Sequence, residues 1–376
     1  MKKQLVSIVL NNFKNDSRVL KQINVFGAMG FDATVVALQT KDELLFEQHE
    51  FFKTKREPVK RNRLPKGQFF GLLIYLRLIF VIVKKYRKYD VWHCNDLEPL
   101  IMAWIAKKFN PKLKVVYDAH EYQRERNARD GILKKITAII EPIVIKAADD
   151  VMTVSEGIVQ EYKRLYELEQ VHLIYNAPHK KQFTGKYDLF REKFDIPADH
   201  TVFLYQGIFT IGRGVDLLIK SFSEMKGEKV ALVFLGGGMF EDKVIRGTQQ
   251  NENIYYHESV PYSEIIKYSS SADYGLNSVE NVCLSYFYCM PNKLFEYMQA
   301  GIPIITTPLH DCRILIESRK LGFVIPTFEI EDFKKTFREA ALINPNSFAT
   351  NLLTAAQDFN WENEAVKLKE IYAKWL

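Results

Sequence analysis

Thr201-Val202-Phe203-Leu204-Tyr205-Gln206-Gly207-Ile208-Phe209-Thr210-Ile211-Gly212-Arg213-Gly214, followed by Val215-Asp216-Leu217-Leu218-Ile219-Lys220-Ser221-Phe222, reads as strand, loop and helix in direct succession. The apolar run Val202–Tyr205 is a candidate strand, and Val215–Phe222 carries a helical pattern. A glycine-containing loop that opens a helix presents unpaired N–H groups to an anion, and Arg213 adds a forked cation. The loop is neither G-x-G-x-x-G nor G-x-x-x-x-G-K-[ST], and similar turns join strands to helices where no ligand binds. On its own it leaves both readings open.

Working outward, short β-branched runs alternate with amphipathic stretches along the whole chain, the pattern of parallel α/β folds. The first half offers Leu5–Leu10, Ala33–Leu38, Val91–Cys94, Lys114–Tyr117, Asp150–Val154 and His172–Tyr175. The second offers Val202–Tyr205, Val230–Leu235, Ile254–His257, Tyr274–Leu276, Ile302–Thr306 and Gly322–Ile325. Two such series predict two doubly wound domains, and 376 residues suffice for two cores. The expected boundaries are 1–178, a polar linker 179–199, 200–357, and a closing amphipathic helix 358–376. Ligands of such sheets bind beyond the carboxyl ends of the strands.

Charge is uneven. Residues 1–180 carry 31 Lys+Arg against 21 Asp+Glu, and the remainder 21 against 25. A basic first half suggests an anionic partner there. The basic cluster Lys53–Lys66 precedes the apolar stretch Phe69–Val83. That stretch has 15 residues including Arg77, short of the roughly 18–20 that a spanning helix needs. The cluster is therefore expected to touch an anionic membrane surface, or to be a solvated loop before a core helix. Four cysteines without a C-x-x-C fit a reducing compartment and argue against structural zinc. Leu5–Leu10 is too short for a signal peptide. The expectation is a cytoplasmic protein, peripheral at the inner face of the membrane.

Four further segments carry candidate chemistry. Asp118-Ala119-His120-Glu121 and His93-Cys94-Asn95-Asp96 each follow or end a predicted strand, at what should be the binding edge. Gly236-Gly237-Gly238 follows Val230–Leu235 and permits either close approach of a ligand or a tight turn. In Pro291-Asn292-Lys293-Leu294-Phe295-Glu296-Tyr297-Met298-Gln299-Ala300-Gly301-Ile302-Pro303, Pro291 suits a helix start and Gly301 its stop. Lys293 and Glu296 share a face of that helix. They form a structural ion pair, or Lys293 meets phosphate and Glu296 accepts from ribose hydroxyls.

Together, Asp118–Glu121, Val154-Ser155-Glu156-Gly157, Ile174-Tyr175-Asn176-Ala177-Pro178, Gln206–Leu218 and Pro291–Pro303 resemble the retaining glycosyltransferases of family 4. The resemblance implies a GT-B architecture, two Rossmann-like domains facing across a cleft, and transfer from a nucleotide diphosphate sugar to a glycan or lipid-linked acceptor, in surface polysaccharide or glycolipid assembly. It implies His120 beside the reacting carbon, Arg213 and Lys293 on the diphosphate, and Glu296 on the ribose. Gly207, Gly212, Gly214, Gly237 and Asn292 complete the expected donor-binding set. The sequence has no D-x-D, which agrees with a metal-free reaction and no cofactor; no nucleic-acid partner is expected.

Two positions depart from the family pattern. Ile208 follows Gly207 where many members have arginine, and Lys293 is placed to substitute. Tyr288 stands where the first glutamate of E-x7-E is usual, with Glu280 the nearest upstream carboxylate. These departures leave room for a nucleotide-sugar 2-epimerase of the same fold, which would need carboxylates about the sugar. They also leave room for an inactive nucleotide-sugar-binding subunit.

Overall fold

Leu5-Val6-Ser7-Ile8 and Val202-Phe203-Leu204-Tyr205 have almost no exposed surface, the condition of strands inside parallel sheets covered by helices on both faces. The computed structural model describes residues 2–14, 16–59, 68–125, 131–180 and 185–376. They form two units, Met1–Ile174 with Glu364–Leu376, and Tyr175–Asn363.

The first unit contains β1 (Gln4–Ile8), β2 (Asp32–Gln39), β3 (Phe46–Gln48), β4 (Phe52–Pro58), β5 (Val91–Asn95), β6 (Lys114–Ala119), β7 (Asp150–Thr153) and β8 (His172–Leu173). Their spatial order is β3-β4-β2-β1-β5-β6-β7-β8, all parallel except the β3–β4 pair. The order reverses at β1, which pairs with both β2 and β5. The second unit contains β9 (Thr201–Ile208), β10 (Val230–Gly237), β11 (Ile254–His257), β12 (Tyr274–Asn277), β13 (Ile304–Thr306) and β14 (Gly322–Val324). Here the order is β11-β10-β9-β12-β13-β14, the doubly wound order of dinucleotide-binding sheets. Its reversal lies between β9 and β12, so the loops after those two strands border the expected ligand position.

Two features differ from the sequence reading. Lys53, Lys55 and Arg56, read as the start of a basic loop, lie on β4. Arg56 is buried there, paired with Glu47 and donating to the carbonyls of Asn12 (3.1 Å) and Leu44 (2.8 Å). Lys53 pairs with Asp32 at 2.7 Å. The rest of the cluster, including Lys60, Arg61, Arg63 and Lys66, lies outside the described residues. The span 179–199, read as a linker, contains the helix Leu189–Phe194. Phe190 is fully buried in the second unit's core and Arg191 pairs with Asp273 at 2.7 Å. That unit already begins at Tyr175, whose ring packs on Phe295 and Phe359 (centroids 5.2 and 5.6 Å).

The end of the chain belongs to the first unit. Tyr372 is buried against Phe26 (centroids 4.3 Å), and Lys374 pairs with Asp150 at 2.7 Å. No helix among the described residues is long and apolar enough to cross a membrane.

Candidate functional site

In the second unit, β9 leads into the loop Phe209–Gly214 and then the helix Val215–Ser223. Residues after β12 hold this loop from the side. Ser278 Oγ donates to the Arg213 carbonyl (2.8 Å), the Glu280 amide donates to the Gly212 carbonyl (2.9 Å), and the Gly214 amide donates to Glu280 Oε1 (3.1 Å). Gly214 has φ +71°, and a Cβ there would lie 2.0 Å from the Ser278 carbonyl oxygen. Only glycine meets both conditions. The three consecutive clamps fix the backbone on which Arg213 stands, and its guanidinium lies 4.6 Å from the Tyr286 ring centroid.

The helix Asn292–Ala300 starts after Pro291 and ends at Gly301, which takes the left-handed conformation at φ +69°. It brings Lys293 and Glu296 to the end of β9. Lys293 Nζ is 3.8 Å from the Tyr205 ring centroid, a cation–π contact. A Cβ on Gly207 would lie 3.8 Å from that ammonium. Lys293 is buried, and its Nζ makes no hydrogen bond among the described residues. Burial, and then the nearby Arg213 cation, push its pKa down to about 7, although Glu296 favours the charged form. Glu296 accepts from Gln206 Nε2 at 2.5 Å. The structural ion-pair reading of Lys293 and Glu296 is therefore not the arrangement found: the acid bonds to an amide, and the ammonium is left over an aromatic face.

In the first unit, His120 follows β6 and is 21% exposed. Its Nε2 lies 3.3 Å from Asp118 Oδ2, and its backbone N–H donates to Asp96 Oδ1 (3.0 Å). Burial alone would lower the His120 pKa, but Asp96 and Asp118 outweigh it and raise it. Asp118 is fully buried, which disfavours its charge, yet Arg18 and then His120 hold it well below the usual carboxylate range. Arg18 grips both its oxygens, at 2.6 and 2.9 Å, and Gln22 donates to Oδ2 at 2.7 Å. His93, read as part of a polar cluster at the binding edge, is instead buried inside β5. Its Nδ1 lies 2.5 Å from the Tyr372 hydroxyl and its Nε2 3.1 Å from Gln22 Oε1. Burial lowers its pKa against the opposing pull of Asp118, so it is neutral, accepting from the tyrosine and donating to the amide. Asn95 is likewise turned inward, donating to Ser7 Oγ at 2.9 Å.

Residues 18–178 match the family model of Glycosyltransferase Family 4, and residues 186–355 that of Glycosyl transferases group 1. The chain belongs to the family 4 glycosyltransferases. A D-inositol 3-phosphate glycosyltransferase of Xylanimonas cellulosilytica is 20% identical over 311 residues, covering 76% of this chain and 72% of that protein. Among solved structures, this glycosyltransferase superposes on sucrose-phosphate synthase of Thermosynechococcus elongatus with a TM-score of 0.82, at 15% identity and 99% coverage of both chains. It superposes on Anabaena HepE, solved with UDP, with a TM-score of 0.77, at 16% identity and covering 99% of this chain and 100% of HepE. The shared fold is GT-B.

Within the second unit of this glycosyltransferase, Gly207, Gly212, Gly214, Arg213, Lys293 and Glu296 converge on the reversal between β9 and β12. Asn292 is exposed at the helix start. Gly237 sits by Glu241, whose Oε2 would be 3.0 Å from a Cβ there. Ile208, in the place of the usual arginine, is 69% exposed. Sequence reasoning missed Tyr205 beneath the ammonium, Gln206 on Glu296, and the shell of Arg18 and Gln22 about Asp118. No local motif marks these contacts, because strand register and long-range packing bring them about. It also left open whether Glu280 or Tyr288 takes the place of the absent first glutamate. The structure gives that carboxylate to the Gly214 amide, while Tyr288 stacks edge-on against His310 (centroids 5.4 Å).

Proposed function

We propose that this glycosyltransferase is a retaining, metal-independent enzyme that moves a sugar from a nucleoside diphosphate sugar to an acceptor hydroxyl. The observation that carries the reading is the buried Lys293 ammonium, with no hydrogen-bond partner among the described residues, beside Arg213 at the switch point of a dinucleotide-type sheet. A buried cation that Glu296 compensates only in part is costly, and a diphosphate at that position supplies further opposing charge. As the bond from the anomeric carbon to the diphosphate oxygen breaks, negative charge accumulates on the leaving group. Lys293 and Arg213 are fixed in a low-dielectric site to receive it. The acceptor oxygen then bonds to the same face of the sugar and its proton passes to the departing diphosphate. His120 acts at the reacting carbon, as the family resemblance implies.

Glu296, oriented by Gln206, accepts from the ribose hydroxyls. HepE solved with UDP-glucose supports a nucleotide sugar as donor class. Surface polysaccharide or glycolipid assembly at the cytoplasmic side of the membrane is the proposed setting, with a glycan or lipid-linked acceptor.

Two substitutions separate the roles. Arg213→Ala is expected to weaken a nucleoside diphosphate relative to the nucleoside by roughly 1.5–3 kcal/mol, the worth of a charge-assisted hydrogen bond. Glu296→Ala is expected to weaken both ligands about equally, because both contain the ribose. Titration calorimetry of the two ligands checks this. Equal losses for both ligands in Arg213→Ala would remove the phosphate assignment.

A further inference from the structure

Of three successive crossover helices in the first unit, the outer two present apolar rows to the outside. The helix Gln68–Tyr86 joins β4 to β5, Leu97–Phe109 joins β5 to β6, and Ile132–Val144 lies between β6 and β7. Right-handed crossovers that advance in one direction lie on one face of the sheet. The middle helix packs against both others, with the Tyr75 hydroxyl donating to the Glu98 carbonyl at 3.0 Å.

On the first helix Leu73, Leu76 and Phe80 are 46%, 51% and 65% exposed. On the third, Ile136, Ile139 and Ile143 are 43%, 65% and 50% exposed. Both rows have the i, i+3, i+7 spacing of an amphipathic stripe, turned away from the core that such a stripe usually meets. Scattered exposed apolar residues need no explanation, but rows on the two outer helices, together with the half-exposed Ile101, Trp104 and Ile105 of the middle one, form a patch of the kind that marks an interaction site.

The charge of the three helices is predominantly positive. The three helices carry seven basic residues and two acids, and one of the acids, Glu141, is fully buried. Lys85, Lys107 and Lys134 have carboxylate partners at 2.8, 2.7 and 2.6 Å. Aromatic rings at the patch carry cations instead. Lys84 lies over Phe80 (5.7 Å), Lys108 over Trp104 (3.6 Å) and Arg87 over Phe109 (5.3 Å). Such pairs place an apolar body beside a positive head, the arrangement suited to the boundary between acyl chains and headgroups.

We propose that this three-helix face docks on an anionic lipid surface. A second copy of the chain is disfavoured as occupant, because a two-fold contact would set cations against cations. The inference deepens the proposed function by placing the acceptor at a membrane. It rests on that reading for the acceptor alone.

Cosedimentation with vesicles of phosphatidylcholine, with and without phosphatidylglycerol, tests it. The protein is expected to sediment with the anionic vesicles and to be released as salt shortens the Debye length. Phe80→Glu and Ile139→Glu, both at exposed positions, should each lower the bound fraction about tenfold. Combined replacement of Lys84, Lys108 and Lys135 by Gln should remove the preference for phosphatidylglycerol. Calorimetry with a nucleoside diphosphate in the absence of lipid should be unchanged in all variants, which certifies their folding. Protein left in the supernatant at low salt overturns the proposal, as do glutamate variants that sediment like the parent. Self-association that the glutamate variants abolish, without vesicle binding, overturns it in favour of a second copy. Loss of nucleotide binding with vesicle binding intact strikes the donor reading and leaves this one standing.

Discussion

Lys293→Met is expected to raise the melting temperature while weakening nucleoside diphosphate binding about 10- to 100-fold, the loss of one strong charge-assisted contact. The two effects have one origin. In the unfolded chain Lys293 is solvated with an ordinary lysine pKa; in the folded protein burial and Arg213 lower it to about 7. Because the folded value is the lower one, the unfolded chain binds the proton first as pH falls. Stability is therefore lost between the ordinary lysine pKa and about 7, and the full penalty applies below that. A shift of this size corresponds to roughly 3–5 kcal/mol. Methionine fills similar volume without a charge and removes the penalty. The gain in melting temperature should be largest near pH 7 and below, and shrink towards pH 10. Thermal scans across that range, with calorimetry of nucleoside diphosphate, check both halves. A variant less stable than the parent at pH 7, or one that binds as tightly, contradicts the assignment. Sites that hold unfavourable charge for a ligand commonly show this opposition of stability and function.

His120→Ala is expected to lower turnover by about 10²-fold or more and to leave nucleoside diphosphate affinity nearly intact, the pattern of a polar group lost from the reacting centre. The His120 pKa is raised in the fold, with Asp96 and Asp118 overcoming burial. The stability contributed by its charged form is thus fully present below the ordinary histidine value and declines as pH rises through the raised one. The alanine variant should lose that dependence. Steady-state rates with the true donor and acceptor decide the role: a variant with the parent's turnover removes His120 from the chemistry.

Much of this fold was legible because strands of a parallel sheet are buried on both faces and read as apolar runs. Six were found in each half, within a few residues of their observed ends. β3, only three residues long, and β4 were not: Phe52–Pro58 interleaves Lys53 and Lys55 with the buried Phe52, Thr54 and Arg56. It reads as a basic loop until Glu47 and two carbonyls are seen to neutralise Arg56. The helix Asn292–Ala300 was legible from Pro291 and Gly301, whose effects are local. The opposite error came at β5: His93 and Asn95 look like site residues in sequence, yet each has buried partners supplied by other elements. Which polar residue faces inward depends on partners far along the chain, such as Tyr372 for His93, and no local pattern encodes that. The same limit hid the anchoring of Asp118 by Arg18, 100 positions away.

The central claim is that the Lys293 ammonium awaits a diphosphate. Titration calorimetry of nucleoside diphosphates at pH 8 with a chelator present, in two buffers of different ionisation enthalpy, tests it most directly. Above about pH 7 the free lysine is largely neutral, and the complex needs it charged. Binding should therefore proceed without a divalent ion and take up about one proton, and Lys293→Met should abolish that uptake. Binding that requires a divalent ion, binding without proton uptake, or no binding of any nucleoside diphosphate would contradict the account.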